Sequence, residues 1–197
     1  MPVVPPDPRP VVTRAAALFR YFGRMGRSVV LLRGVNVGKH NRISMPALRD
    51  ILAAAGCTDV QTHLQSGNAV VTWSGSADLL AAAVRAELTA AAGLDVLVMV
   101  RTGVELAAVV EANPFAGEAF DPKLLHVAFL TGPPDPERFA AVDHGALLPD
   151  RMAVGDRALY LRYATGSQNS PLAKVRLGVE ATARNWTTVT ALRDLAR

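Results

Sequence analysis

Residues 28–56 read SVVLLRGVNVGKHNRISMPALRDILAAAG, and the elements that this segment predicts indicate the fold class. It opens with the largely apolar run Val29–Arg33, which lacks the alternation of a half-exposed strand and therefore predicts a strand covered on both faces. The loop Gly34–Asn41 follows. Ser44 then suits a helix N-cap and Gly56 a helix stop, so we predict a helix between them. The succession indicates mixed α and β structure.

Predicted strands and helices continue to alternate up to residue 102. Ser66-Gly67-Asn68 predicts a hairpin turn between two β-branched runs, because Gly67 permits a positive φ and Asn68 tolerates one. The resulting order, β-α-β-β-α-β, is typical of a ferredoxin-like half. The predicted elements are strands over Val29–Arg33, Val60–Gln65, Ala69–Trp73 and Leu94–Val100, with helices over Ser44–Ala55 and Ser76–Ala92.

The second half of the chain repeats this order loosely. Its predicted elements are strands over Leu124–Leu130, Arg151–Val154 and Ala158–Tyr163, with helices near Val104–Glu111, Pro136–Val142, Pro171–Leu177 and Ala183–Ala196. A lone ferredoxin-like sheet leaves one face open, yet several strands lack alternation, so the halves should pack together or share a sheet. We therefore predict an α+β fold in which two ferredoxin-like (βαββαβ-type) halves, residues 28–102 and 103–197, form one compact unit.

Residues 1–27 differ in composition from the remainder and predict a flexible, basic, proline-rich tail. They contain five arginines against the single acid Asp7, which accounts for the whole formal net charge of +4; the rest of the chain is neutral. We expect residues 1–24 to be dispensable for folding. Because charge dominates non-specific nucleic-acid binding, their deletion should remove most of that binding.

Several classes of protein are excluded by composition and motif. Cys57 is the single cysteine, so neither a disulfide nor a cysteine-based zinc site is expected, and the environment should be the cytoplasm. We expect Cys57 to be a small buried residue, His126 a core histidine, and the protein to need no metal or cofactor. The sequence contains no run of about 18 apolar residues, so we expect no membrane-spanning helix. Gly34, Gly38 and Lys39 approach a P-loop, but the spacing is one residue short, and His40 stands where magnesium binding needs Ser or Thr. The oligomeric state stays open.

Three polar segments carry a resemblance to a known family. They are LLRGVNVG at 31–38, QSGN at 65–68 and TARNW at 182–186, the last followed by Thr188-Val189. In this order they resemble the signature segments of the bacterial family known as domain of unknown function 1697, and the resemblance runs from about residue 28 to the end. It implies a duplicated ferredoxin-like arrangement and a candidate site; no activity is established for the family. The chain departs from the usual family residues at Lys39-His40, Pro171, Thr187 and Ala191.

The same segments supply the candidate ligand-binding residues. Residues 28–49 contain four cations and no acid, and residues 157–193 are again basic, so their meeting would create an electropositive surface. Thr182 predicts the N-cap of the last helix, with Arg184 in its first turn, where a bound anion would offset the unfavourable dipole. We expect the segments to converge on one concave site. The candidates are Arg33, Asn36, Lys39, Arg42, Gln65, Ser66, Asn68, Arg184 and Asn185.

Three functions remain open from the sequence. The first is binding of an anionic, phosphate-bearing ligand or of single-stranded nucleic acid at a polar cleft. The second is a small-molecule enzyme of unknown reaction that uses the Arg and Asn side chains, with no catalytic residue assigned. The third is a structural module without a ligand, in which Arg184 forms a salt bridge to a carboxylate of the other half and Trp186 belongs to the core. Nucleic-acid binding on a sheet face is disfavoured, because the first sheet offers only Trp73 for stacking.

Overall fold

The computed structural model describes residues 26–197 and has an α+β fold with two four-stranded antiparallel sheets and five α-helices. The expected tail, residues 1–27, lies outside the described residues except for its last two. Gly26 and Arg27 belong to the first strand, where they pair with Trp73 and Thr72, so this strand begins three residues earlier than predicted.

Sheet 1 is built from the first part of the described chain. Its strands, in the spatial order β2-β3-β1-β4, are β1 (Gly26–Leu32), β2 (Thr58–His63), β3 (Asn68–Trp73) and β4 (Val98–Thr102). Helices α1 (Met45–Ala54) and α2 (Ala77–Ala92) connect them. Both helices begin as predicted, because the Ser44 and Ser76 hydroxyls accept hydrogen bonds from backbone N–H groups of the first turn. Strand β4 starts four residues later than expected and ends at Thr102, which caps the next helix.

Sheet 2 has the corresponding order, β6-β7-β5-β8. Its strands are β5 (Leu125–Leu130), β6 (Arg151–Gly155), β7 (Ala158–Arg162) and β8 (Ala181–Asn185). The helices of this part are α3 (Gly103–Glu111), the short α4 (Pro136–Ala140) and α5 (Trp186–Leu195). A single 3-10 turn, Pro171–Lys174, replaces the α-helix predicted over Pro171–Leu177.

The prediction for residues 181–185 is wrong. We expected Thr182 to cap a helix over Ala183–Ala196, but Thr182 pairs with Phe129 inside β8, which completes the edge of sheet 2 next to β5. The cap is Asn185, whose Oδ1 accepts a hydrogen bond of 2.9 Å from the backbone N–H of Thr188. Arg184 therefore lies in a strand, and the argument from the helix dipole does not apply to it.

The elements stack in layers that cover both faces of both sheets. Helices α1 and α2 cover the outer face of sheet 1, while α3 and α5 lie between the two sheets in a shared apolar core. The outer face of sheet 2 is covered by α4, the 3-10 turn and irregular segments. The run Val29–Leu32 is buried throughout, as its lack of alternation predicted. Within residues 26–197, no helix has the length and apolar character needed to cross a membrane.

Candidate functional site

The loop after β1 and the turn between β2 and β3 lie at the same end of sheet 1. Strand β3 is antiparallel to both β1 and β2. Strands β1 and β2 therefore run in the same direction, and their C-terminal ends lie at the same end of the sheet. In the register, Asn68 at the start of β3 is opposite Leu31 and also opposite His63. Two of the three polar segments are thus neighbours because of the sheet topology.

The third segment reaches this edge through the Arg184 side chain, which extends from β8 of the other sheet. Its Nε donates to Asn68 Oδ1, and its Nη2 donates to the backbone oxygens of Leu32, at 2.7 Å, and Ser66, at 3.2 Å. Its Nη1 donates to Thr182 Oγ1 at 2.9 Å and to the Ala183 oxygen at 2.8 Å. A guanidinium has five N–H groups, so every donor of Arg184 is used within the protein.

The charge of Arg184 is buried without a carboxylate beside it. Burial lowers the pKa of the guanidinium to about 10, which leaves it protonated at neutral pH. The alternative that we left open, a salt bridge from Arg184 to the other half, is wrong for the described residues, since all its acceptors are neutral. The inter-half salt bridge is instead formed by Arg33 with Glu180. Glu180 could have been recognised as this partner from the sequence, because it is the lone acid among residues 157–193.

Asn68 is the centre of the contact between the halves. It is fully buried, and its Nδ2 donates to the His63 oxygen at 3.1 Å and to Ser66 Oγ at 2.9 Å, while its Oδ1 accepts from Arg184. We expected Asn68 to tolerate a positive φ in the turn, but the positive values occur at Leu64 and Gly67. Asn68 is already part of β3, and its amide acts as a structural bridge.

Asn36 fixes the loop between β1 and α1. Its Nδ2 donates to the oxygens of Ile43, at 2.8 Å, and Gln65, at 2.7 Å, and its Oδ1 accepts from the Ile43 N–H at 2.9 Å. Asn36 has a φ of 56°, a left-handed conformation that asparagine accepts more readily than most residues. The loop is therefore held in one shape and tied to the neighbouring turn.

The loop and α1 border an open cleft of about 420 Å³, which we call the β1–α1 cleft. Its walls are Asn36, Arg42, Ile43, Ser44, Met45, Pro46 and Gln65. The Arg42 guanidinium makes a single hydrogen bond, from Nη1 to the Gly38 oxygen at 3.3 Å, within the described part of the chain. Lys39 is exposed on the same loop, and neither cation has a carboxylate partner among residues 26–197. The cleft thus offers unused cationic donors.

The candidate residues do not all share one environment. Asn36, Arg42 and Gln65 line the β1–α1 cleft, with Lys39 on the loop beside it. Ser66, Asn68 and Arg184 form the hydrogen-bonded bridge between the halves. Arg33 points to a different cavity, next to sheet 2, and Asn185 serves as the cap of α5. Over residues 26–197, no three His, Cys, Asp or Glu side chains are grouped so as to hold a metal ion.

Comparison with known proteins agrees with the family resemblance over residues 25–160, which contain the first two of the three segments but not the third. No curated protein matches the chain. Among solved structures, the conserved bacterial protein SP0830 from Streptococcus pneumoniae is similar, with a TM-score of 0.68 and 19% identity over 88% of this chain and 99% of that chain. At this identity the likeness concerns the fold alone. The model of the family described as "Protein of unknown function (DUF1697)" matches residues 25–160, well over half of the chain, so this protein belongs to that family.

Proposed function

We propose that the protein binds a small phosphate-bearing ligand in the β1–α1 cleft. The observation that supports this most is the Arg42 guanidinium, which lines a preformed cleft; within residues 26–197 most of its donors are unused and the wall contains no acidic residue. Arginine suits such a role, because its planar fork binds two oxygens of a phosphate at once. Lys39 and Gln65 complete the polar contacts.

The electrostatics of this end of sheet 1 support an anion. Arg33 is neutralised by Glu180, but Lys39, Arg42 and Arg184 have no acidic partner among the described residues. A bound phosphate monoester carries a charge of about −1.5 to −2 at neutral pH and would balance much of this excess. Arg184 would act at a distance through its fixed charge, because all its donors are already used.

The rigidity of the cleft supports binding with little reorganisation. The three hydrogen bonds of Asn36 hold the loop to Ile43 and Gln65, so the backbone that carries Lys39 and Arg42 is fixed before a ligand arrives. A preformed site loses less conformational entropy on binding than a mobile loop would. In this proposal Asn36, Asn68 and Arg184 position the site, whereas Lys39 and Arg42 contact the ligand.

A small ligand fits better than single-stranded nucleic acid. Proteins that bind single strands on a sheet stack bases on exposed aromatic side chains. Both faces of both sheets are covered in this fold, and the buried aromatic residues Phe129 and Tyr160 lie in the core between the sheets. A cleft of about 420 Å³ has the size of a small-molecule site.

We also infer that the chain comprises two ferredoxin-like halves, residues 28–102 and 103–197. In each sheet the first strand lies between the third and the fourth, and the second occupies the far edge, which supports a duplicated arrangement. The second half would then be the more divergent, because α4 has five residues where α1 has ten.

Isothermal titration calorimetry with pyrophosphate and with adenosine monophosphate tests the binding proposal. We expect Arg42→Ala to weaken binding roughly tenfold, the equivalent of about 1.4 kcal/mol. Arg49→Ala is the matched control, since Arg49 belongs to the same basic stretch but donates to Thr62 outside the cleft.

Equal losses in the two variants would indicate non-specific attraction and contradict the site. Absence of binding at millimolar concentration would reject a phosphate ligand, and tight binding of oligo-dT without binding of either phosphate probe would favour nucleic acid. The Arg42→Ala protein should keep its circular dichroism spectrum, because Arg42 is exposed.

A further inference from the structure

A second cavity, of about 410 Å³, lies against the outer face of sheet 2. It exists because this face lacks two long helices; α4, the 3-10 turn and irregular segments cover it and leave space beneath them. The wall is largely apolar and consists of alanines, two valines and the leucines Leu130, Leu159, Leu161, Leu172 and Leu177. We call this space the sheet-2 cavity.

One end of the sheet-2 cavity is polar, and Tyr163 is its most informative member. Tyr163 is only 4% exposed, and within the described part of the chain its hydroxyl forms no hydrogen bond. The Tyr163 hydroxyl is not sealed off in the way that the partnerless Arg162 Nε and Arg193 Nε are, so water or a ligand can reach it from the cavity. The Tyr163 ring is held in place by an edge-to-face contact with His126, at 5.1 Å between centroids.

His126 contributes a hydrogen-bond acceptor to the same end. Its Nε2 lies 3.1 Å from the backbone oxygen of Lys123. A carbonyl oxygen only accepts, so Nε2 carries the proton and Nδ1 has a free lone pair. Burial lowers the pKa of His126 below its ordinary value, and the ring is therefore neutral at pH 7. The sequence prediction of a core histidine is incomplete, because the ring also lines a cavity.

The side chains that line the cavity carry one net positive charge; the Asp150 carboxylate does not line it but lies near Tyr163, whose pKa is raised by burial and, after it, by this carboxylate. Arg33 and Glu180 both line it but neutralise each other. Arg176 uses Nη1 for the backbone oxygens of Ala173 and Val175, each at 2.9 Å, and its Nε and Nη2 have no partner within residues 26–197. Ser167 adds a hydroxyl. A ligand with one negative charge therefore matches the cavity better than a doubly charged phosphate.

We propose that the sheet-2 cavity binds a small carboxylic acid with an apolar body. The carboxylate would accept hydrogen bonds from Arg176 and from the Tyr163 hydroxyl, while the hydrocarbon part would contact the leucine wall. A charge-assisted pair at the mouth together with an apolar interior is the usual composition of a small-molecule site. This site is separate from the β1–α1 cleft, and neither Arg176 nor Tyr163 belongs to that cleft.

Calorimetric titration of the full chain with phenylacetate and with 4-methylpentanoate tests this inference. We expect at least one of the two to bind, and the uncharged phenylacetamide to bind roughly tenfold more weakly than phenylacetate, because it lacks the charge that Arg176 would contact. Arg176→Ala should weaken carboxylate binding by about the same factor. Arg138→Ala serves as the control, since Arg138 is an exposed arginine of the same half that does not line the cavity.

Tyr163→Phe gives a second measurement. Removal of a hydroxyl that has no protein partner should leave the melting temperature unchanged or raised, while carboxylate binding becomes several-fold weaker. The proposal is overturned if neither acid binds at 10 mM, about the weakest affinity of interest. It is also overturned if phenylacetamide binds as tightly as phenylacetate. Pyrophosphate binding should be unaffected by Arg176→Ala, so failure here is distinguishable from failure at the β1–α1 cleft.

Discussion

Replacement of Arg184 by alanine is the sharpest test of how the two halves are joined. The substitution removes five hydrogen bonds, three of which connect β8 to the first half. The sequence alone suggested an arginine that binds a ligand. The contacts of Arg184 predict instead that its loss substantially lowers the stability of the fold.

The magnitude follows from the acceptors that remain. Asn68 Oδ1 and the Leu32 oxygen belong to residues that are 0% and 1% exposed, so water reaches neither easily. A buried acceptor left without a donor costs about 1 to 3 kcal/mol. The Thr182 hydroxyl, on a residue that is 4% exposed, also loses a donor, whereas the acceptors on the exposed residues Ser66 and Ala183 regain water at little cost. Removal of the guanidinium also removes the cost of desolvating its charge, which offsets part of the loss. We therefore expect the free energy of unfolding to fall by about 3 kcal/mol.

Urea denaturation followed by circular dichroism measures this change, and Arg184→Lys is the informative companion. Lysine keeps the charge but has three donors on one nitrogen, so it cannot reach acceptors in both halves in the fork geometry. We expect it to recover less than half of the loss. Arg49→Ala, which removes one exposed hydrogen bond, should change stability by less than about 0.5 kcal/mol.

A double-mutant cycle with Asn68→Ala isolates the bond across the interface. The two residues are in direct contact, so we expect a coupling energy of about 1 to 3 kcal/mol. A loss below about 1 kcal/mol for Arg184→Ala, or additive effects in the cycle, would refute the view that this side chain joins the halves.

Two further predictions concern local packing. Gly67→Ala should lower the free energy of unfolding by about 3 kcal/mol, since Gly67 has a φ of +71° and a Cβ there would lie 2.8 Å from Leu32 Cβ. Gly38 has a φ of +61° but open space around it, so Gly38→Ala should cost only about 1 kcal/mol. Equal costs for the two substitutions would contradict the packing argument. Burial raises the pKa of the Cys57 thiol from 9.0 to about 11, so the stability that it contributes is fully present below pH 9 and is lost as the pH rises through 11. Wild type should therefore lose more stability than Cys57→Ala between these values in chemical denaturation; parallel curves would argue against the shift.

The elements that were predicted well are those specified by nearby residues. Ser44 and Ser76 cap their helices locally, and the apolar run Val29–Leu32 shows by itself that both faces are covered. Strand β8 was missed because its sequence, ATARN, has a single buried side chain, Thr182; it is a strand because β5 provides a partner more than 50 residues away in the sequence.

The candidate site was predicted only in outline, because the sequence shows its polar side chains but not the main-chain groups that they contact. The polar residues that converge are visible in the sequence, but Arg184 binds main-chain oxygens of Leu32 and Ser66, and every residue has such an oxygen. No pattern of side chains reveals that choice. The sheet-2 cavity was not anticipated either, because it arises from the absence of long helices over β5 and β7 rather than from a motif.

The placement of α3 and α5 between the sheets determines how the protein unfolds. Residues from both sheets and both helices form one continuous apolar cluster, so neither half can separate without exposing the interior face of the other. A chain cut between Thr102 and Gly103 should give two insoluble fragments rather than two stable ones. If the halves arose by duplication, they have since become mutually dependent, and a substitution in either half should lower the stability of the whole protein.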